Sequence, residues 1–509
     1  MTTMSNTERA RAIAVAALML LTLTLWSLYD NRATASRPLP DAEAASHIEL
    51  ALQFDPAIPF DRIDVHVQDG VANLSGTVDN LLVRERAARV AETVRGIRAV
   101  VNRIEVEPHT RYSASRLQRR VEEAIADDPV AESYQIEVEV NEGGEVTLSG
   151  TVDSWQERQL SENVARSVSG VTAVDNRMAV SEAGVRPSEE LVPEIQGRLQ
   201  WDVLVDASRI GVEVENGMVA LSGVVGSAAE KRRALSAAWV AGVTAVDGSE
   251  LRVADLADEA YPRRPREPSR SDEAIRTAIR DAFRYDPRVA QADIEVRVSN
   301  GIVTLTGIVD NAQARRAAAR DAEHTVGVIG VRNLVKLRPL AEVDDATLAR
   351  RVGLALSRNP YVDRSRIELR VTDQAVHLSG TVDSYFDKAE AENAAFRVAG
   401  VARVHNALRV AAPQTMVYDP YVQEWSIYDY PWYPGPVDPQ NKSDAQLLRD
   451  IEDQLFWSPF LDSRRIDVEV EAGTAVLTGT VDNWAQYAAA RENALEAGAL
   501  TVVNRLRIE

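Results

Sequence analysis

The chain contains no cysteine in 509 residues. That absence removes disulfide staples, Cys-ligated zinc or iron–sulfur centres, thiol nucleophiles and lipid attachment through cysteine. Lysine is scarce too: Lys231, Lys336, Lys388 and Lys442 are all there is, so arginine carries the positive charge. Positive charge is itself the minority sign, with 57 Lys plus Arg against 77 Asp plus Glu and a net charge of −20. Such a balance argues against a nucleic-acid binder, which needs a basic footprint, and against broad adsorption to anionic lipid. Catalytic signatures are missing: there is no G-x-S-x-G, P-loop, H-E-x-x-H or EF-hand loop. The histidines, His47, His66, His109, His324, His377 and His405, include no i, i+4 pair of the kind that holds zinc. No catalytic residue, metal or cofactor is nominated, and the chain reads as non-enzymatic.

A hydrophobic fraction of 45% with ordinary Gly and Pro content marks a folded protein. Length alone suggests three to four domains of ordinary size. Near the start, Arg9 and Arg11 precede an uncharged apolar run over residues 12–29. Positive charge ahead of such a run leaves that end in the cytoplasm and exports the rest. Two readings compete: an uncleaved inner-membrane anchor, or a signal peptide cut after the small-x-small stretch Ala33-Thr34-Ala35. The first makes a single-pass protein with a periplasmic C-terminal region, the second a free periplasmic one.

Self-similarity decides the architecture. One pattern recurs six times: Ile-x-Val-x-Val, a turn, Val-x-Leu-Ser/Thr-Gly-x-Val, a helical stretch, then Gly-Val-x-x-Val-x-Asn-x-Leu-x-Val. The first marker glycine falls at Gly76, Gly150, Gly223, Gly307, Gly380 and Gly479, and the second at Gly96, Gly170, Gly242, Gly327, Gly400 and Gly498. Six residues beyond these stand Asn102, Asn176, Gly248, Asn333, Asn406 and Asn504.

Each unit opens with an amphipathic helix, which in most copies a proline stops, at Pro56, Pro129, Pro287, Pro360 and Pro459. Two alternating strands follow, joined by turns such as Asp69-Gly70, Asn216-Gly217 and Asn300-Gly301. The first marker glycine marks a bend or a close backbone approach. The recurring Asp79, Asp153, Asp310, Asp383 and Asp482 stand where a second helix needs an N-cap, and the second marker glycine reads as its C′ residue. The recurring Asn reads as a backbone-bonding residue.

Strand three returns parallel to strand two through a right-handed crossover. The fold class is α+β: six tandem αββαβ units, each a three-stranded mixed sheet covered by two helices, after the N-terminal segment. The units span 41–108, 112–181, 187–254, 272–339, 344–411 and 443–509. A Pro/Arg-rich linker occupies 255–271, and an aromatic, Pro-rich one occupies 412–442. The glycine spacings predict a block of three units, a pair and a terminal single one, with docking between neighbours because each unit is too small to bury much alone. Unit three departs most, with Gly226 for the Asp, Gly248 for the Asn and Pro193 in its first helix, and is expected to be the least stable.

The motifs Val-x-Leu-Ser/Thr-Gly-x-Val and Gly-Val-x-x-Val-x-Asn-x-Leu-x-Val, the latter seen for example at residues 170–180 with Met178 in the Leu position, resemble those of BON domains, modules of bacterial envelope and osmotic-stress proteins. The resemblance covers 41–254, 272–411 and 443–509. It implies a periplasmic location, attachment to phospholipid surfaces or envelope partners, and no catalytic role. On that reading the second helices would face lipid headgroups, through Arg84, Arg86, Arg89, Arg232, Arg233, Arg315, Arg316 and Arg320. Interleaved glutamates such as Glu85, Glu92 and Glu230 favour a plain solvated helix face instead.

The linker at 412–442 concentrates Tyr418, Tyr421, Trp425, Tyr428, Tyr430, Trp432 and Tyr433, and residues 412–441 hold no Lys or Arg. Such a segment either docks a protein or glycan partner or packs onto adjoining units. Its acidity makes anionic lipid a poor ligand for it.

Overall fold

A computed structural model describes residues 40–128, 135–181, 186–254, 270–338, 343–411, 419–422, 430–433, 442–458 and 461–508. The apolar run at 12–29, Pro129, Pro459 and most of both linkers lie outside these described residues. Among the described residues no helix is long and apolar enough to cross a membrane.

Each unit begins with a 14-residue helix: Asp41–Phe54, Ala114–Asp127, Ser188–Trp201, Asp272–Tyr285, Asp345–Arg358 and Asp444–Trp457. In unit four the buried stripe is Ile275, Ala278, Ile279 and Phe283, the i, i+3, i+4, i+8 spacing of one helix face. Pro287 follows two residues after that helix ends. The hairpin of unit one pairs Ile63–Gln68 with Val71–Val78 through Asp69-Gly70. Both turn residues have positive φ, 51° and 70°, as a two-residue hairpin turn of this kind requires. Strand three, Ala99–Val106, runs parallel to strand two, so strand two is the central strand of a mixed sheet. In units two to six the third strand is divided into two short pieces, both paired with strand two, as in Gly330–Asn333 and Lys336–Leu337.

An unforeseen clamp closes the hairpins. The first residue of the first helix, Asp41, accepts the backbone N–H groups of Asp69 at 2.7 Å and Gly70 at 2.9 Å. Asp272, Asp345 and Asp444 grip the turns of units four, five and six in the same way. One carboxylate satisfies two turn donors and ties the helix to the sheet.

The N-cap expectation needs correction. The second helices are Leu81–Glu92, Trp155–Arg166, Ala228–Ala237, Ala312–Glu323, Tyr385–Phe396 and Trp484–Glu496, and their caps are Asn80, Ser154, Ser227, Asn311, Ser384 and Asn483. Each cap stands one residue after the recurring Asp position and accepts a backbone N–H three residues on. The Asp is thereby free to pair with an arginine ahead of strand one: Asp79 with Arg62, Asp383 with Arg366, Asp482 with Arg465. The second marker glycine also lies beyond the helix, four residues past Glu92 in unit one; only Gly498 follows directly on a helix cap, Ala497.

The first marker glycine is the close approach anticipated. A Cβ on Gly380 would lie 2.1 Å from the carbonyl oxygen of Arg366. The recurring Asn bonds backbone at both ends: Asn102 donates to the Arg84 carbonyl at 2.7 Å and accepts from the Ile104 N–H at 3.1 Å. Unit three replaces these devices locally. Ser227 caps its second helix, Pro193 sits within an unbroken first helix, and Ser249 N–H bonds Asp247 where the Asn is missing.

Six hydrophobic clusters, one per unit, form the cores, and they interlock. Leu81 of unit one belongs to the core of unit two, Leu204 of unit three to that of unit six, and Val422 of the second linker to that of unit one. Docking is therefore not confined to sequence neighbours, and the three-two-one grouping does not describe the packing.

Candidate functional site

The second helices meet inside the assembly. Glu85 pairs with Arg166 of unit two at 3.0 Å, and Glu92 with Arg232 of unit three at 2.5 Å. Arg316 of unit four reaches Asn393 of unit five and lies 4.8 Å from the Phe396 ring. Units two and five join through Arg358, whose guanidinium reaches Asp127 while its carbonyl accepts the Ser169 N–H at 2.7 Å.

This packing relocates the candidate headgroup contacts. Arg86 is 5% exposed, bound to Asp55 at 2.6 Å and stacked 5.0 Å from the Phe386 ring of unit five. Arg232 also donates to the Tyr421 carbonyl, and Arg233 holds Asp202 at 2.6 Å. Burial lowers the affinity of Arg89 and Arg315 for their protons, with a nearby arginine adding to it in each case. Arg84 and Arg320 are half-buried. Arg86, Arg232, Arg233 and Arg316 thus meet carboxylates, amides and rings at or beside unit contacts, and do not form an outward cationic face.

The linker aromatics that are described behave likewise. Tyr421 donates its hydroxyl to the Leu204 carbonyl at 2.6 Å, and burial drives its pKa well above the phenol range. Tyr430 donates to Asn393 at 2.9 Å, and the Trp432 indole to Glu392 at 2.6 Å. Lys388 lies 4.5 Å over the Trp432 ring, and Tyr433 meets Tyr385 edge-on at 5.0 Å. These four residues strap the linker onto units three and five. Tyr418, Trp425 and Tyr428 lie outside the described residues.

With the helices turned inward, the open sheet faces remain outside. Their character is set by one row across the three strands. In unit two the row is Glu139, Thr147, Asp175; in unit three it is Glu213, Ala220, Asp247. In unit five it is Arg370, His377, His405. The two imidazoles, 28 residues apart in the chain, stack with centroids 4.8 Å apart. Helical spacing could not bring them to notice, whereas the parallel register of strands two and three does. Among the described residues no cluster of three or more potential ligands could hold a metal ion.

Docked αββαβ units with outward sheets define a tandem-repeat protein built from small mixed-sheet modules. The BON domain model matches residues 40–108, 113–182, 189–255, 271–339, 344–412 and 443–509, and the chain belongs to that family. It is similar to the osmotically-inducible protein Y of Escherichia coli (strain K12), with 34% identity over 144 residues, 27% of this chain and 72% of that protein. Among solved structures, the C-terminal domain of CdsD, a structural protein of the type III secretion system of Chlamydia trachomatis, is 15% identical. That match covers 40% of this chain and 94% of that one, at a TM-score of 0.11. A second CdsD structure is 17% identical, covering 42% and 97% at a TM-score of 0.12. At such scores the structural likeness carries no argument.

Proposed function

We propose that this chain is a non-enzymatic bacterial envelope protein serving envelope or osmotic-stress integrity, and that its six units form one packed scaffold binding envelope partners through outward sheets and sheet edges. The observation that carries this reading is the engagement of the second helices with one another, as in Arg232 with Glu92, which leaves the sheets as the outward surface. Support for the stress setting comes from the likeness to an osmotically-inducible protein. The apolar run at 12–29 would hold the scaffold on the inner membrane with its units in the periplasm, or export it freely after cleavage.

Photo-crosslinking in cells tests this. Probes replacing Glu139 or Glu213 on open sheets are expected to capture envelope proteins or glycan, and a probe replacing Ala318 inside a helix contact is not. Absence of adducts from every sheet position would overturn the scaffold reading. A second reading, contact with phospholipid surfaces, is favoured by the basic row of unit five.

A further inference from the structure

The open face of unit four is apolar at places where the other faces are not. Ile302 and Ile308 lie on its central strand, Ile302–Val309, and Leu334 lies between the two pieces of strand three. Ile308 is 46% exposed and Leu334 59%. The residue after the first marker glycine is Thr77, Thr151, Thr381 or Thr480 in four other units, and the buried Val224 in unit three. The residue after the recurring Asn is Arg103, Arg177, Ala407 or Arg505 elsewhere, and Ser249 follows Gly248. Unit four alone exposes large apolar side chains at both places. Such a patch with a charged rim marks a contact surface.

The rim carries opposite charges on opposite edges. One row runs Asp293, Ile308, Lys336 across the three strands. Asp293 and Lys336 are exposed, and among the described residues neither forms an ion pair. Further along, Glu295 holds Arg297 at 3.0 Å, and Arg332 stands on the far edge of the Arg297 row.

We propose that this face binds the same face of a second copy of the chain across a two-fold axis, an inference that rests on outward sheets as the scaffold's binding surface and names one partner for them. An axis along strand two, between the facing sheets, turns strand one of each copy over strand three of the other and keeps each row opposite itself. Asp293 then meets Lys336 of the second copy, twice per dimer. Ile302 and Ile308 meet their own counterparts. Arg332 comes opposite Arg297, whose charge Glu295 already offsets. The same axis through unit two or three would set Glu139 against Asp175 or Glu213 against Asp247, so like charges exclude those faces.

Size sets the strength. A face three strands wide and seven residues long measures about 14 by 23 Å, or about 300 Å² on each copy. Stable complexes bury about 800 Å² per partner, so this dimer is weak in dilute solution. The apolar run at 12–29 would confine copies to one membrane and raise their effective concentration. Repulsion from the net charge of −20 is screened beyond about 8 Å at physiological salt, whereas the contacts of this face are local.

The absence of cysteine allows a clean test. The full chain is reconstituted in phosphatidylcholine vesicles with a single cysteine and treated with a short bismaleimide. Ile308→Cys and Ile302→Cys are expected to give covalent dimers, and Thr151→Cys on unit two and Thr381→Cys on unit five are not. Asp293→Lys or Lys336→Asp alone should lower the Ile302→Cys yield about fivefold, since each sets like charges together twice. The double exchange should restore it. Ile308→Thr with Leu334→Arg uses residues that other units carry at these places, so the variant should keep its thermal melt and lose the dimer.

No dimer above the controls, or a dimer that survives Ile308→Thr with Leu334→Arg, overturns the proposal. Failure of the double charge exchange to restore the yield overturns the two-fold arrangement. A fluorophore at Ile308→Cys that senses an apolar medium in vesicles holding one chain each would show the bilayer as the occupant, and would also overturn it. The scaffold reading survives such failures if the Glu139 and Glu213 probes still capture envelope proteins or glycan, and falls as well if they capture nothing.

Discussion

Arg358 at the end of the first helix of unit five reaches the Asp127 carboxylate at the end of the first helix of unit two, 231 residues earlier in the chain. The side chains are 5% and 18% exposed. Removing one partner strands a buried charge, so Arg358→Ala or Asp127→Ala is expected to cost about 3–5 kcal/mol. Chemical denaturation of both single variants and the double variant measures this. A double variant whose loss of stability equals the sum of the two single losses would show that the pair is not coupled.

The marker glycine of strand two admits no side chain. Gly380→Ala would place a Cβ 2.1 Å from the Arg366 carbonyl oxygen at φ 126°, where nothing but main-chain movement gives relief. Loss of the folded unit five is expected, seen as collapse of amide-exchange protection over residues 344–411. Gly330→Ala, with nothing within 4 Å, is the control that should fold normally.

The clamp should matter most where the turn lacks glycine. In unit five Asp373 and Gln374 both take positive φ, 49° and 60°, and Asp345 holds both N–H groups. Asp345→Ala should destabilise by about 1 kcal/mol as two turn N–H groups, one exposed and one half-buried, lose their acceptor. Gln374→Gly should stabilise by about 1 kcal/mol by relieving left-handed strain. Thermal melts decide; no gain from the glycine variant would mean that the turn is unstrained.

Asp419, on the strap, has its carboxyl pKa pushed up to about 6 by burial, although Tyr421 N–H donates to it. A folded-state pKa above the ordinary carboxylate value near 4 means that the folded strap binds the extra proton. Strap docking should therefore weaken as pH rises from about 4 through about 6, and Asp419→Asn should flatten that dependence. Protease sensitivity within 412–442 as a function of pH is the measurement, and a rise in cleavage on acidification would contradict it.

Much of each unit was legible in the residues. The alternation of strand one, the two-residue turns and the fixed glycine intervals report local geometry that repeats whatever surrounds it. The capping position was misread by one residue because Asp and Asn/Ser are comparable caps, and only the arginine ahead of strand one shows which carboxylate is otherwise engaged. The hairpin clamp was missed because Asp41 and Asp69 lie 28 residues apart, with no pattern marking their contact.

The assignment of faces was less accessible. Arginines on the second helices and aromatics of the linker looked alike for solvent, lipid or protein, since composition does not say what opposes a side chain. Local periodicity determined the six αββαβ units and their strand order by itself, because hydrogen bonding and burial within a unit depend on short spacings. Tertiary structure alone decided that Arg232 meets Glu92, that Tyr430 meets Asn393, and that His377 stacks on His405. Those pairings depend on how surfaces from distant parts of the chain fit in shape and charge.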